Sequence, residues 1–282
     1  MSDNEFDAYL SLADASEEDH RWAFGTGFAD PLAGVDASIP PGADASALAA
    51  RCLALGDDAL IYSHRLQQWV TRAPELEEET ALANIALDLL GQARLLLTRA
   101  GQAEASVPEG LGRDEDPLAF FRDEREFRNV RLVERPDMDF AVLVTRLLVF
   151  SAWRLELMRE AAGDTDPVLA AIAAKAVKEL SYHRDYAAAW VIRLGDGTDY
   201  SHAKAQAALE SLWPLAAELG LGAEASAFLD AVLTEATLTR PAAPPLAPVA
   251  GRTGRDGTHT EAMGYILAEM QSVARAHPGA TW

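Results

Sequence analysis

Residues 77–100 read EEETALANIALDLLGQARLLLTRA, and their periodicity decides the fold class. Leu82, Ile85, Ala86, Leu89, Leu90, Ala93, Leu96 and Leu97 recur in steps of three and four, the spacing that puts side chains on one face of an α-helix. Pro74 precedes the run, Glu77, Glu78 and Glu79 fill its first turn, and Arg94 and Arg99 lie near its end. That charge order complements the helix dipole. Ala81, Ala83, Ala86, Gly91 and Ala93 are small enough to let neighbouring helices approach closely.

The same pattern returns in 44–71, 137–162, 166–194, 199–219, 223–236 and 259–276. Breakers separate these segments: Gly101, the 106–117 stretch, Gly163, Gly195 to Gly197, Gly220 to Gly222, and the proline-rich 240–257 connection. No alternating run is bounded by hairpin turns, so sheet content should be near zero. Helices longer than ~20 residues exceed ~30 Å, and with short connections they pack as an all-α bundle. The pairs 44–71 with 77–100 and 137–162 with 166–194 have similar lengths and suggest a pseudo-repeated four-helix core plus additional helices. Four regions follow: an acidic, Gly/Pro-rich arm over 1–42, the bundle over 43–239, the connection over 240–257, and a C-terminal helix over 258–282 that packs on the bundle.

Composition narrows the function classes. The chain has 282 residues, with 24 Lys+Arg against 44 Asp+Glu, a net charge of −20. Such a field repels phosphate backbones and anionic lipid heads, which argues against nucleic acid and membrane as partners. The single cysteine, Cys52, can form neither an internal disulfide nor a thiolate cluster, as expected in a reducing compartment. The opening MSDNEFD has neither the basic nor the apolar stretch of a secretory leader, and no uncharged run is long enough to span a bilayer. A cytoplasmic location is expected.

A long-helix bundle raises the question of a dinuclear metal site. Such a site takes a Glu from each of two helices and Glu-x-x-His from each of the other two, because residues three apart share a helix face. On 77–100 the interior carboxylate is Asp88, but Gly91 stands three residues later. On 166–194 it is Glu179, with Tyr182 at three and His183 at four. Asp58 could fill one unpaired slot. The position as far before Glu179 as Asp58 is before Asp88 is Val149, and the nearest carboxylate there is Glu156. The site therefore reads as degenerate, spread over Asp58, Asp88, Gly91, Glu156, Glu179, Tyr182 and His183.

Plainer readings stand beside these. Asp88 can be a buried or half-buried acid bonded to an Arg or Gln such as Gln92 or Arg94, and Glu179 with His183 an interhelical cluster with Tyr182 or Arg184. Trp153, Tyr182, Tyr186 and Trp190 read as core aromatics rather than a cofactor box, and Cys52 as a small core hydrophobe. Glu17 with His20 lies in the arm, and Asp199 with His202 reads as a helix cap. His64 beside Ser63 implies no acid partner and so no hydrolytic triad. Gly25 and Gly27 lack the context of a phosphate loop.

Together, LGDDALIYSHRLQQW (55–69), LANIALDLLGQARLL (82–96), DPLAFFRDEREFRNVRLVERP (116–136), KELSYHRDYAAAWVIRLGDGT (178–198) and GRTGRDGTHTEAMGYILAEMQSVARAHPGATW (251–282) resemble the C-subunit family of bacterial ring 1,2-phenylacetyl-CoA epoxidases. The resemblance covers about 50–282. It implies a ferritin-like fold that has lost its working metal centre and has no catalytic or cofactor-binding residues of its own. It further implies a hetero-oligomer with a homologous A subunit, which carries the di-iron site and binds phenylacetyl-CoA, with a small B subunit, and with a reductase bearing FAD and an iron–sulfur cluster and fed by NADPH. In isolation the chain could form a homodimer. The Arg- and Phe-rich segment 116–136 is the expected interface, through Phe120, Phe121, Arg122, Arg125, Phe127, Arg128 and Arg131, unless it packs only on its own bundle. Two other readings remain open: an oxygenase or oxidase in its own right using Asp58, Asp88, Glu156, Glu179 and His183, and a helical binding module without metal.

Overall fold

The computed structural model describes residues 30–242 and 252–280. Two compact units divide the chain, Met1–Gly34 and Val35–Trp282, and the helices named here all belong to the second. Among the described residues there is no strand, and eight helices carry the fold: α1 (Ala45–Val70), α2 (Leu76–Ala105), α3 (Glu115–Phe120), α4 (Phe140–Ala161), α5 (Pro167–Gly195), α6 (Asp199–Ala216), α7 (Ala223–Glu235) and α8 (Glu261–Ala276).

Local chemistry starts the helices where the sequence places them. Asp44, Asp139 and Asp166 accept the backbone N–H of Ala47, Val142 and Leu169 at 3.0, 2.9 and 2.8 Å, which satisfies donors that the first turn leaves unpaired. Pro167 follows its cap at the position where a missing N–H costs nothing. The cap of α6 is Thr198 rather than the expected Asp199, which stands one residue inside the helix. Gly101 does not end α2. A Cβ there would lie 1.8 Å from the Arg113 carbonyl oxygen, so this glycine lets the returning chain press against the helix while it continues to Ala105.

α1 with α2 and α4 with α5 form two tightly packed pairs, and α2 lies against α5. This is the four-helix core of a ferritin-like bundle. α6 and α7 pack on α4 and α5, and α8 packs on α1 and α3. α4 is the central element, with 16 of its 22 residues buried, whereas α2 buries 12 of 30. The 116–136 segment forms α3 and two 3-10 turns, Glu124–Glu126 and Arg131–Val133, and sits between α1 and α8. Within the expected arm, Ala37 and Ser38 are held by their carbonyl oxygens, which accept from Arg99 on α2 at 2.7 and 3.4 Å. Glu17, His20, Gly25, Gly27 and residues 243–251 lie outside the described residues.

Candidate functional site

At the centre of the four-helix core lies a guanidinium. Arg154 on α4 has no exposed side-chain surface. Its Nε donates to Gln92 Oε1 on α2 at 3.1 Å, and its Nη1 donates to the Leu55 carbonyl of α1 at 3.1 Å. Asp58 Oδ2 on α1 stands 3.9 Å from Nη1. Gln92 Nε2 in turn donates to Glu179 Oε2 on α5 at 2.9 Å, and Lys175 holds the other Glu179 oxygen. One continuous network thus joins all four core helices, with an arginine in the middle. Burial lowers the Arg154 pKa to about 10, against the pull of Asp58, so it remains a cation at neutral pH.

The other candidates fall into separate places. Asp58 is fully buried and also accepts from Val130 N–H at 2.9 Å and from both terminal nitrogens of Arg255, at 3.0 and 2.7 Å. Asp88 pairs with neither Gln92 nor Arg94. Its Oδ2 lies 3.0 Å from His183 Nε2. Glu179 and His183 are interhelical, as expected, but their partners are Gln92, Lys175 and Asp88 rather than Tyr182 or Arg184, which bonds Asp185. Tyr182 is 56% exposed. Gly91 has no atom within 4 Å of the position a Cβ would take. Glu156 points away from the centre and caps α7, accepting Ala225 N–H at 3.1 Å. Gly222 makes room for it, since a Cβ there would come within 2.0 Å of the Glu156 carboxylate.

Ser63 Oγ donates to the Ala86 carbonyl and His64 faces Glu269 at 3.6 Å, so the two make no nucleophile–base pair. Cys52 is fully buried, and burial pushes its thiol pKa up to about 12. Trp153 is in the core, donating to the Leu219 carbonyl at 2.8 Å. Tyr182, Tyr186 and Trp190 are not core. They run along an exposed to half-buried stripe of α5, a departure that the aromatic content alone did not foretell.

The expected interface needs correction at three positions. Arg122, Phe127 and Arg131 are buried inside this chain. Arg122 clasps both oxygens of Asp57 and stacks over the Phe127 ring, with its guanidinium 4.1 Å from the centroid. Arg131 pairs with Glu218 at 3.0 Å. The adjacent carboxylates of α1 explain why: Asp57 takes Arg122 and Arg128 N–H, while Asp58 takes Val130 N–H and Arg255. Their charges are spent fastening the crossover. Phe121 and Arg125 remain exposed, and Phe120 and Arg128 are half-buried.

The residues present do not fit a dinuclear metal centre. Two ions need about four carboxylates and two imidazoles converging on one point. Among the described residues no three of His, Cys, Asp and Glu are placed to hold a metal ion. Three of the candidate acids already have cations or imidazole against them: Arg154 and Arg255 at Asp58, Lys175 at Glu179, His183 at Asp88. Arg154 and Gln92 carried no mark in the metal motif. The signal was instead an arginine within Ala152-Trp153-Arg154-Leu155, in the middle of a long apolar segment, because a charge there must meet a buried acid.

The family model described as "Phenylacetic acid catabolic protein" matches residues 35–227 and 220–282. The C subunit of the 1,2-phenylacetyl-CoA epoxidase of Escherichia coli (strain K12) is 43% identical over 256 residues, 83% of this chain and 99% of that one. With most of its length matched in both comparisons, the chain belongs to the phenylacetic acid catabolic protein family.

Proposed function

We propose that this chain is a non-catalytic structural subunit of a phenylacetyl-CoA ring 1,2-epoxidase in aerobic phenylacetate degradation in the cytoplasm. It pairs with and stabilises a homologous catalytic subunit, which holds the di-iron centre. A small B subunit and an NADPH-fed reductase with FAD and an iron–sulfur cluster complete the assembly. The observation that carries this reading is Arg154. The bundle centre is filled by the chain's own cation, hydrogen-bonded to α1 and α2 and facing an acid. Four further buried arginines, Arg99, Arg122, Arg131 and Arg146, pair with Asp166, Asp57, Glu218 and Asp137. Such pairs contribute little net stability but penalise every alternative packing in which a charge loses its mate, which suits a scaffold of fixed shape.

An oxygenase built on Asp58, Asp88, Glu156, Glu179 and His183 would have to gather residues that here serve as a crossover anchor, an ion pair, a helix cap and a lysine partner. Reconstitution separates the two readings. Turnover by the mixed subunits should collapse when this chain is omitted and persist when it carries D88N or E179Q. Loss of turnover with a folded E179Q chain would favour the oxygenase.

A further inference from the structure

Among the described residues, the outer side of the α2–α5 seam has no covering helix over much of its length. Leu87 and Tyr182 each stand one residue before a member of the Asp88–His183 pair, and the pairs 88 with 183 and 92 with 179 make the two helices antiparallel. In antiparallel helices equal offsets fall on the same side of the seam, so Leu87 and Tyr182 share one outer face. They are 57% and 56% exposed, and Leu76 and Leu90 add 71% and 43% further round α2. Tyr186 stacks on Tyr182, with ring centroids 6.4 Å apart. Helix α2 is apolar enough by length and composition to cross a membrane, yet less than half of its most apolar stretch is buried.

The polar groups in the middle of this face are occupied from within: Asp88 Oδ2 lies 3.0 Å from His183 Nε2, and Glu179 is held by Lys175 and Gln92. Exposed Leu87 and Tyr182, with Lys178 and Asp185 exposed one turn to either side of the tyrosine, give an apolar centre with charged neighbours, the arrangement of an interface core and its rim. Among the described residues, α3 and the Ala37–Ser38 segment cover only the far end of α2, near Arg94 and Arg99. About 19 residues of bare helix at ~1.5 Å each, two helices wide at ~10 Å apiece, give roughly 600 Å² on this side and about 1,200 Å² in all. That clears the ~1,000 Å² a specific complex needs. A second copy would bring −20 against −20, and an anionic lipid surface is no better matched.

We infer that the α2–α5 face, centred on Leu87 and Tyr182, is the docking surface for a less acidic helical protein, the catalytic subunit of the proposed complex. The occupant rests on the functional reading above. The face does not.

The test uses the full chain and that catalytic subunit. The L87D/Y182D variant should bind at least ~100-fold more weakly than wild type, since two central anchors are lost. Both residues are exposed, so its melting temperature should match wild type. Y265D, an equivalent change at a 67% exposed tyrosine on α8, should bind as wild type does. Wild type and L87D/Y182D binding equally well would overturn the assignment of the face. A wild-type chain that dimerises alone, and becomes monomeric as L87D/Y182D, would overturn the occupant and keep the face. A wild-type chain that binds no catalytic subunit and stays monomeric would overturn the functional reading and the occupant with it.

Discussion

Replacing Asp58 by Asn keeps the shape of the side chain and removes its charge. The structure gives the consequence a size and a sign. Asp58 faces two guanidiniums, Arg154 at 3.9 Å and Arg255 at 2.7 Å. At an effective dielectric of ~20, a pair 3.9 Å apart is worth about 4 kcal/mol. Burial already lowers Arg154 from 12.5 to about 10, a residual penalty on the charged form of roughly 3 kcal/mol that Asp58 does not offset. Without Asp58 that penalty grows, and Arg255 also loses its bidentate acceptor. D58N should therefore destabilise by about 3–5 kcal/mol, the cost of breaking a buried pair from one side. In urea unfolding followed by circular dichroism, the midpoint should fall with the slope unchanged.

The double variant discriminates more sharply. Once the acid is neutral, Arg154 is a liability, so D58N/R154M should be more stable than D58N alone. A D58N cost below about 1 kcal/mol would place Arg154 in contact with solvent. A double variant less stable than the single one would mean that the Gln92 and Leu55 hydrogen bonds, not charge balance, hold the centre together. Either result would refute the reasoning.

Other outcomes follow from the same contacts. His259 Nδ1 lies 2.7 Å from Glu134 Oε1, and its Nε2 lies 3.1 Å from the Phe127 carbonyl oxygen, both of them acceptors. Burial favours the neutral ring, but Glu134 and the carbonyl outweigh it and hold the pKa above its ordinary 6.5. Stability from this contact is full below 6.5 and is lost as pH rises through the raised value, so the advantage of wild type over H259Q should shrink with rising pH. Amide exchange in α8 should report it, and a constant difference across that range would refute the protonated ring. G101A should destabilise by about 1–3 kcal/mol, read by thermal unfolding, because its Cβ meets the Arg113 carbonyl. E156Q keeps the acceptor and weakens the α7 cap, whereas E156A removes it and should cost about 1 kcal/mol by the same assay.

The helices were legible in the sequence because burial of one face imposes a period that single residues cannot hide. The segments 166–194 and 223–236 reappear within two residues as α5 and α7. Gly101 misled because a glycine chosen for close approach looks the same as one chosen to end a helix. At the candidate site the identities of Gly91 and Tyr182, three residues after Asp88 and Glu179, could be read directly, but the contacts of Asp58 could not. Arg154 and Arg255 lie far away in sequence, and a carboxylate that anchors an arginine has the same local signature as one that binds metal. The 116–136 arginines were misjudged for a related reason: Arg122 and Arg131 look like surface charge until Asp57 and Glu218 are found facing them. Tyr182 and Tyr186 erred the other way, since an aromatic stripe at helical spacing does not reveal whether the surface covering it belongs to the same chain.

On the proposed function this chain serves by shape, its bundle centre closed by Arg154. Metal analysis of each chain, separated from the assembled oxygenase without loss of bound ions, tests that most directly. Iron should travel with the catalytic subunit, leaving this chain with none bound in stoichiometric amount. Iron held stoichiometrically by this chain, and lost on E179A, would contradict it.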